Sequence, residues 1–213
     1  MIEVLQKIAT GKWFNDSPFT CDLQIGSNSL CIITGGNASG KSLVRKVLSS
    51  HYHSEQIEFI NLSMCGRTGG NFISGFQKLF IYGDESEEST GDNSAKILGK
   101  AIKTGLSREK PFVLFLDEPE VGCGEELQMA MAMALSIVNV EVMPMCKGIY
   151  IVSHSRQFVR HFIPLNPTHF RLGDRMTLVE WLSREVVPVD LSTFSSDNHE
   201  KWRWVESQLK KKV

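Results

Sequence analysis

Eight consecutive residues, Gly35-Gly36-Asn37-Ala38-Ser39-Gly40-Lys41-Ser42, place glycine, lysine and a hydroxyl at the spacing G-x-x-x-x-G-K-[ST] without a gap. Glycines so spaced let a backbone wrap an anion with its N–H groups pointing inward, and a helix opening there adds its positive end. The chemistry expected is the grip of a nucleoside triphosphate, ATP. Lys41 would reach its β- and γ-phosphates and the Ser42 hydroxyl would hold Mg2+. Leu43, the next residue, closes the nucleotide-contacting stretch.

Two further groups could act on such a ligand. Asp117 and Glu118 end the apolar run Phe112-Val113-Leu114-Phe115-Leu116. Asp117 would take Mg2+, directly or through water, and Glu118 would polarise a water against the γ-phosphate. His154 follows Ile149-Tyr150-Ile151-Val152-Ser153 and could hydrogen-bond that phosphate.

All three groups need a scaffold that brings the ends of buried strands together. Pro111–Leu116 is apolar throughout, Ser29–Thr34 is apolar and β-branched, and Ile149–Val152 reads as another buried strand, as strands covered on both faces do. Leu43, Val44, Val47 and Leu48 recur at helical spacing and predict a helix over about 41–52. Strands are also expected near 2–8, 21–25 and 56–62, and helices near 92–105, 124–139 and 155–163. An amphipathic stripe over 72–80 suggests one more helix, followed by an acidic turn at 83–88. Residues 169–172 and 177–181 read as a strand pair or as a strand and a helix. The fold class expected is α/β: a P-loop NTPase with a mainly parallel sheet covered by helices and a small N-terminal antiparallel β portion.

One domain over 1–213 accounts for the length, with a reduced helical lobe at about 64–106 and a C-terminal extension at about 165–213. The 42% hydrophobic content suits one substantial core, and the net charge of −1 exerts no global pull on nucleic acid or anionic lipid. No apolar run reaches membrane-spanning length. Five scattered cysteines, no C-x-x-C pair and no secretory start favour a cytoplasmic protein with reduced thiols.

The ordered set of glycine loop, apolar strand with D-E-P at 117–119, and S-H at 153–154 resembles the ABC (ATP-binding cassette) ATPases. The resemblance covers about residues 1–160. It implies an ATP-dependent head-to-tail homodimer, in which Ser89 and Gly91 of one copy grip the γ-phosphate bound to the other. The segment Glu88-Ser89-Thr90-Gly91-Asp92 keeps only the serine and second glycine of that family's L-S-G-G-Q loop, and a plain helix cap explains it as well. The Q-loop glutamine has no clear counterpart; Ser63 stands in for it, or the metal is held through water. Trp13, or alternatively Phe14, occupies the place of the adenine-stacking aromatic.

The interval between Lys41 and Ser89 is too short for a transporter's coupling lobe, and no sustained heptads appear. A minimal, stand-alone ATPase acting on a DNA or protein client is therefore favoured, similar to soluble chromosome-maintenance or repair cassettes and of a size that suits phage or mobile-element proteins. A transporter's nucleotide-binding subunit and a nucleotide-gated binder with little turnover are the alternatives. The C-terminal Trp202, Val205 and Leu209 suit packing on the body better than contact with nucleic acid. Lys41→Ala should lower affinity for ATP at least about tenfold; calorimetry showing unchanged affinity would overturn the glycine-loop assignment.

Overall fold

A computed structural model describes residues 1–11, 18–63, 90–137, 143–188, 190, 199–201 and 203–207. It contains β1 (Cys21–Gln24), β2 (Leu30–Gly35), β3 (Glu58–Ser63), β4 (Phe112–Asp117), β5 (Cys146–Val152) and β6 (Thr168–Leu172) in one sheet, ordered β1-β6-β2-β5-β4-β3. Every pairing is parallel except β1 with β6. The protein is thus α/β, with a mostly parallel six-stranded sheet flanked by helices.

Alternation along the buried strands divides the core into two layers. Leu30, Ile32, Leu114, Leu116, Ile149 and Ile151 face one side. They are covered there by α3 (Thr90–Leu106), α4 (Glu125–Ile137), α5 (Arg156–Arg160) and α6 (Leu178–Ser183). Cys31, Ile33, Val113, Phe115, Tyr150 and Val152 face the other side, under α1 (Ile2–Ala9) and α2 (Lys41–Ser54). Both faces of β2 are buried along its whole length, which is why its sequence is apolar without alternation.

The N-terminus departs from expectation. Residues 2–8 form helix α1, not a strand, because Val4, Leu5 and Ile8 share one helical face and are buried together. Glu3 and Lys7, one turn apart, pair at 2.8 Å on its exposed side. The antiparallel portion is correspondingly not built among N-terminal strands: β1 pairs with β6 from the far end of the chain. β5 begins at Cys146, earlier than expected, since Lys147 projects outward between buried neighbours. Of the strand-pair and strand–helix alternatives near the C-terminus, the second holds, with Thr177 and Glu180 forming a capping box at α6. The stripe at 72–80 and the acidic turn at 83–88 lie outside the described residues.

A buried polar network anchors β2 just before the glycine loop. Arg171 on β6 makes a two-pronged ion pair with Asp174 and donates to Thr34 Oγ1 at 3.3 Å. Thr34 Oγ1 also lies 2.7 Å from His169 Nε2. Burial, with Arg171 beside it, pushes the His169 pKa down to about 4. The imidazole is therefore neutral, and the Thr34 hydroxyl can donate to Nε2 while accepting from Arg171. Thr34→Val strands both partners in the core and should lower unfolding free energy by about 1–3 kcal/mol. Thr34→Ser, which keeps the hydroxyl, should lose clearly less; equal urea midpoints for the two variants would refute the network's role.

Candidate functional site

Parallel register gathers the expected residues at one edge of the sheet. Ser63 pairs with Asp117, Asp117 with Val152, and Ile33 with Val152, so β3, β4, β5 and β2 all end there. Open α/β sheets place ligands beyond this carboxyl edge.

The glycine loop joins β2 to α2. Gly35 must be glycine: a Cβ there would sit 2.4 Å from Ser39 Oγ and 2.8 Å from the Leu172 carbonyl. Gly40 has φ +102, and a Cβ there would sit 3.2 Å from the Phe19 ring. Ala38 also takes the left-handed region, at φ 53. The loop's own bonds are few: Ser39 N–H donates to Gly36 O, and those of Leu43 and Val44 to Gly40 O. Among the described residues, the N–H groups of Asn37, Ala38, Gly40 and Ser42 have no protein acceptor. Ser39 Oγ is buried without a partner as well. Lys41 Nζ curls back on the loop and donates to the carbonyls of Gly35 (3.1 Å) and Gly36 (2.8 Å). The first turn of α2 carries no acidic residue, so its positive end is unopposed by its own side chains.

At the end of β4 the acids separate into different environments. Asp117 is partly buried, which pushes its pKa up; a hydrogen bond from Ser63 Oγ at 2.8 Å acts the other way. Glu118 leaves the strand in the left-handed region, φ 54, while its N–H still donates to Val152 O. A backbone turned this way at a non-glycine residue is uncommon and clusters at functional sites. It brings Glu118 Oε1 to 3.2 Å from His154 Nε2. That hydrogen bond holds the Glu118 pKa below the usual carboxylate range.

Glu120, the second glutamate of D-E-P-E, was not expected to take part. It is 5% exposed, and burial raises its pKa. Its Oε1 accepts from the Ser153 hydroxyl and the Ser155 N–H, the residues on either side of His154. Ser155 Oγ in turn donates to Gln128 Oε1 at 2.7 Å and caps α5. Glu120 therefore fixes the turn that carries His154. An acid placed one residue beyond proline was the available signal.

The structure thus brings Gly35–Leu43, Asp117, Glu118 and His154 to one sheet edge. A cavity of about 370 Å3 lies between Gly35, Gly36 and His154 on one side and Arg156, Arg171 and Trp181 on the other. Gly91, at the start of α3, is buried, with the Gly122 carbonyl 2.9 Å from where its Cβ would be. Trp13, Phe14 and Ser89 lie outside the described residues. Phe19 is the aromatic side chain found against the loop, and sequence spacing alone did not single it out.

Among the described residues, no group of three or more His, Cys, Asp or Glu side chains is placed to hold a metal. A hydroxyl and one carboxylate, as in Ser42 and Asp117, suit Mg2+, which keeps several waters and binds substrate phosphates. Also among the described residues, no helix is long and apolar enough to cross a membrane, and Cys21, Cys31, Cys123 and Cys146 form no disulfide. The chain matches no protein-family model, and a search of curated proteins returned no match.

Asp117 offers a test of cost against use. Its raised folded-state pKa means that the native protein takes up a proton before the unfolded chain does, so this carboxylate destabilises the protein above that pKa. Asp117→Asn should stabilise the ligand-free protein by roughly 0.5–2 kcal/mol at neutral pH. The gain should shrink as pH falls through the carboxylate range; a gain that persists unchanged at acid pH, or a loss, would contradict the assignment.

Proposed function

We propose that this chain is an ATPase of the ATP-binding-cassette class, in which two copies close head-to-tail on ATP and act on a DNA or protein client. The observation that carries this reading is the meeting of three groups at one sheet edge. They are a glycine loop with unused N–H donors, the adjacent Asp117 and Glu118, and His154 at 3.2 Å from Glu118. A structural turn has no need of all three.

The loop N–H groups of Asn37, Ala38, Gly40 and Ser42 are donors for phosphate oxygens. Lys41 would exchange its two carbonyl partners for the phosphates, a gain in charge complementarity. Ser42 and Asp117 fit Mg2+, since burial leaves the Asp117 charge poorly compensated. Bound there, the ion would supply neutralisation of charge on the transferring phosphoryl group.

Glu118 and His154 then act as a gate on reactivity. While paired with His154, Glu118 has a lowered pKa and is a weak base. A γ-phosphate oxygen competing for His154 would loosen the pair, raise the proton affinity of Glu118 and free it to orient the attacking water. Glu120 keeps His154 in place throughout by holding Ser153 and Ser155. By the resemblance, Ser89 and the N-terminus of α3, Thr90 to Asp92, from the second copy would complete each site, and hydrolysis would reopen the pair.

Glu118→Gln keeps the shape of the side chain but removes the base. Its mass by light scattering should double on addition of Mg-ATP, with steady-state turnover reduced at least about a hundredfold. A variant that binds ATP yet keeps the mass of one chain would overturn the dimer, and one that still turns over at the wild-type rate would remove Glu118 from the chemistry.

A further inference from the structure

A second cavity, of about 260 Å3, opens off residues 38–43, and the C-terminal helical segment forms part of its wall. Lys201 and Val205, one helical turn apart, both line it, opposite Phe19 and the first turns of α2. The segment is seated on the body, not loosely laid against it. Trp204 meets the Phe19 ring edge-on at 6.1 Å, and Trp204 and Val205 pack on the layer that includes Val44 and Leu48. Phe19 itself rests against Gly40. Loop, Phe19 and C-terminal helix are therefore joined by direct contacts.

The chemistry of this wall is specific. Phe19, Leu43 and Val205 make an apolar slot, and Lys46 and Lys201 line it as well, with Lys41 at its edge held by the Gly35 and Gly36 carbonyls. Among the described residues that line the cavity there is no carboxylate. An apolar ligand would give Lys46 and Lys201 no anion, and a bare polyphosphate would leave the slot unfilled. A flat ring joined to a phosphate chain satisfies both requirements. The volume is below that usual for a whole drug-sized ligand, so the slot suits the nucleoside end, with the phosphates running along the loop.

On the nucleotide reading above, we propose that Lys201 and Val205 are nucleotide-binding residues. Val205 and Phe19 bracket the base, Lys201 draws the adjoining phosphate, and occupancy clamps the C-terminal helix onto the glycine loop. The base site is then built from both ends of the chain, and nucleotide binding sets the order of the C-terminal segment.

The test uses the full chain with two probes, Mg-ATP and inorganic tripolyphosphate. In the wild type, ATP should slow amide exchange over 199–207, and tripolyphosphate should do so much less. Val205→Trp, which fills the slot, should weaken ATP at least about tenfold, about 1.4 kcal/mol, and leave tripolyphosphate nearly unchanged. Lys201→Ala should weaken both by a few-fold. ATP binding that depends on Lys41 but neither protects 199–207 nor responds to the two substitutions would overturn this proposal alone. Absence of any Lys41-dependent ATP binding would remove the nucleotide reading and this proposal with it.

Discussion

The parallel register of β2, β5 and β4 is the constraint on which the rest depends. Beyond Lys147, exposed at the start of β5, both faces of these strands are covered, and a charge along them would carry an unsatisfied burial cost. Polar chemistry is confined to the ends, and parallel pairing puts those ends side by side. Val152 lies opposite Ile33 on one side and Asp117 on the other, so the three strands finish nearly level. The glycine loop, the acidic pair and His154 follow directly from that line. Even Thr34, the buried hydroxyl within β2, is tied off by Arg171 and His169 before the loop begins.

Three carboxyl groups within four residues would repel one another in a uniform medium. Here local surroundings assign them different states. Burial raises the pKa of Asp117 and Glu120, whereas the His154 hydrogen bond lowers that of Glu118. Environments that push neighbouring acids apart are how one site divides roles among chemically equal groups. Glu120 points into the structure and serves the backbone of the 153–155 turn. Glu118, turned outward by its positive φ, meets His154 at the edge. The same short run thus supplies both a scaffold and an acid paired with His154 at the sheet edge.

What was legible in the sequence follows from the same physics. β2 and β4 announce themselves because full burial demands an unbroken apolar run, and the glycine loop because few residue types tolerate its backbone. The first strand expected, residues 2–8, failed because Val4, Leu5 and Ile8 suit a helical face as well as a short apolar strand. Only packing against Leu48 and Tyr52 decides between them. Glu120 and Phe19 were not legible, since their roles depend on partners far along the chain: Ser153 and Ser155 for one, Gly40 and Trp204 for the other. Spacing rules describe local backbone needs; they do not encode which distant element arrives.

The two layers of the core give the two halves of the site different mechanical attachments. Residues 38–43 open α2, which shares its layer with α1 and the Trp204–Val205 contact. Asp117 ends β4, and Glu118 and His154 sit on turns that lead towards α4 and α5, on the opposite layer. A ligand held only by the loop would load one layer. A ligand reaching from the Phe19 slot to His154 would load both, across a sheet whose buried strands are bonded on each side. On the nucleotide reading, such a ligand would bracket the sheet, and removing its far end would release His154 back to Glu118. On that reading the distal part of the ligand, not its base, would be the element whose loss resets the acidic edge.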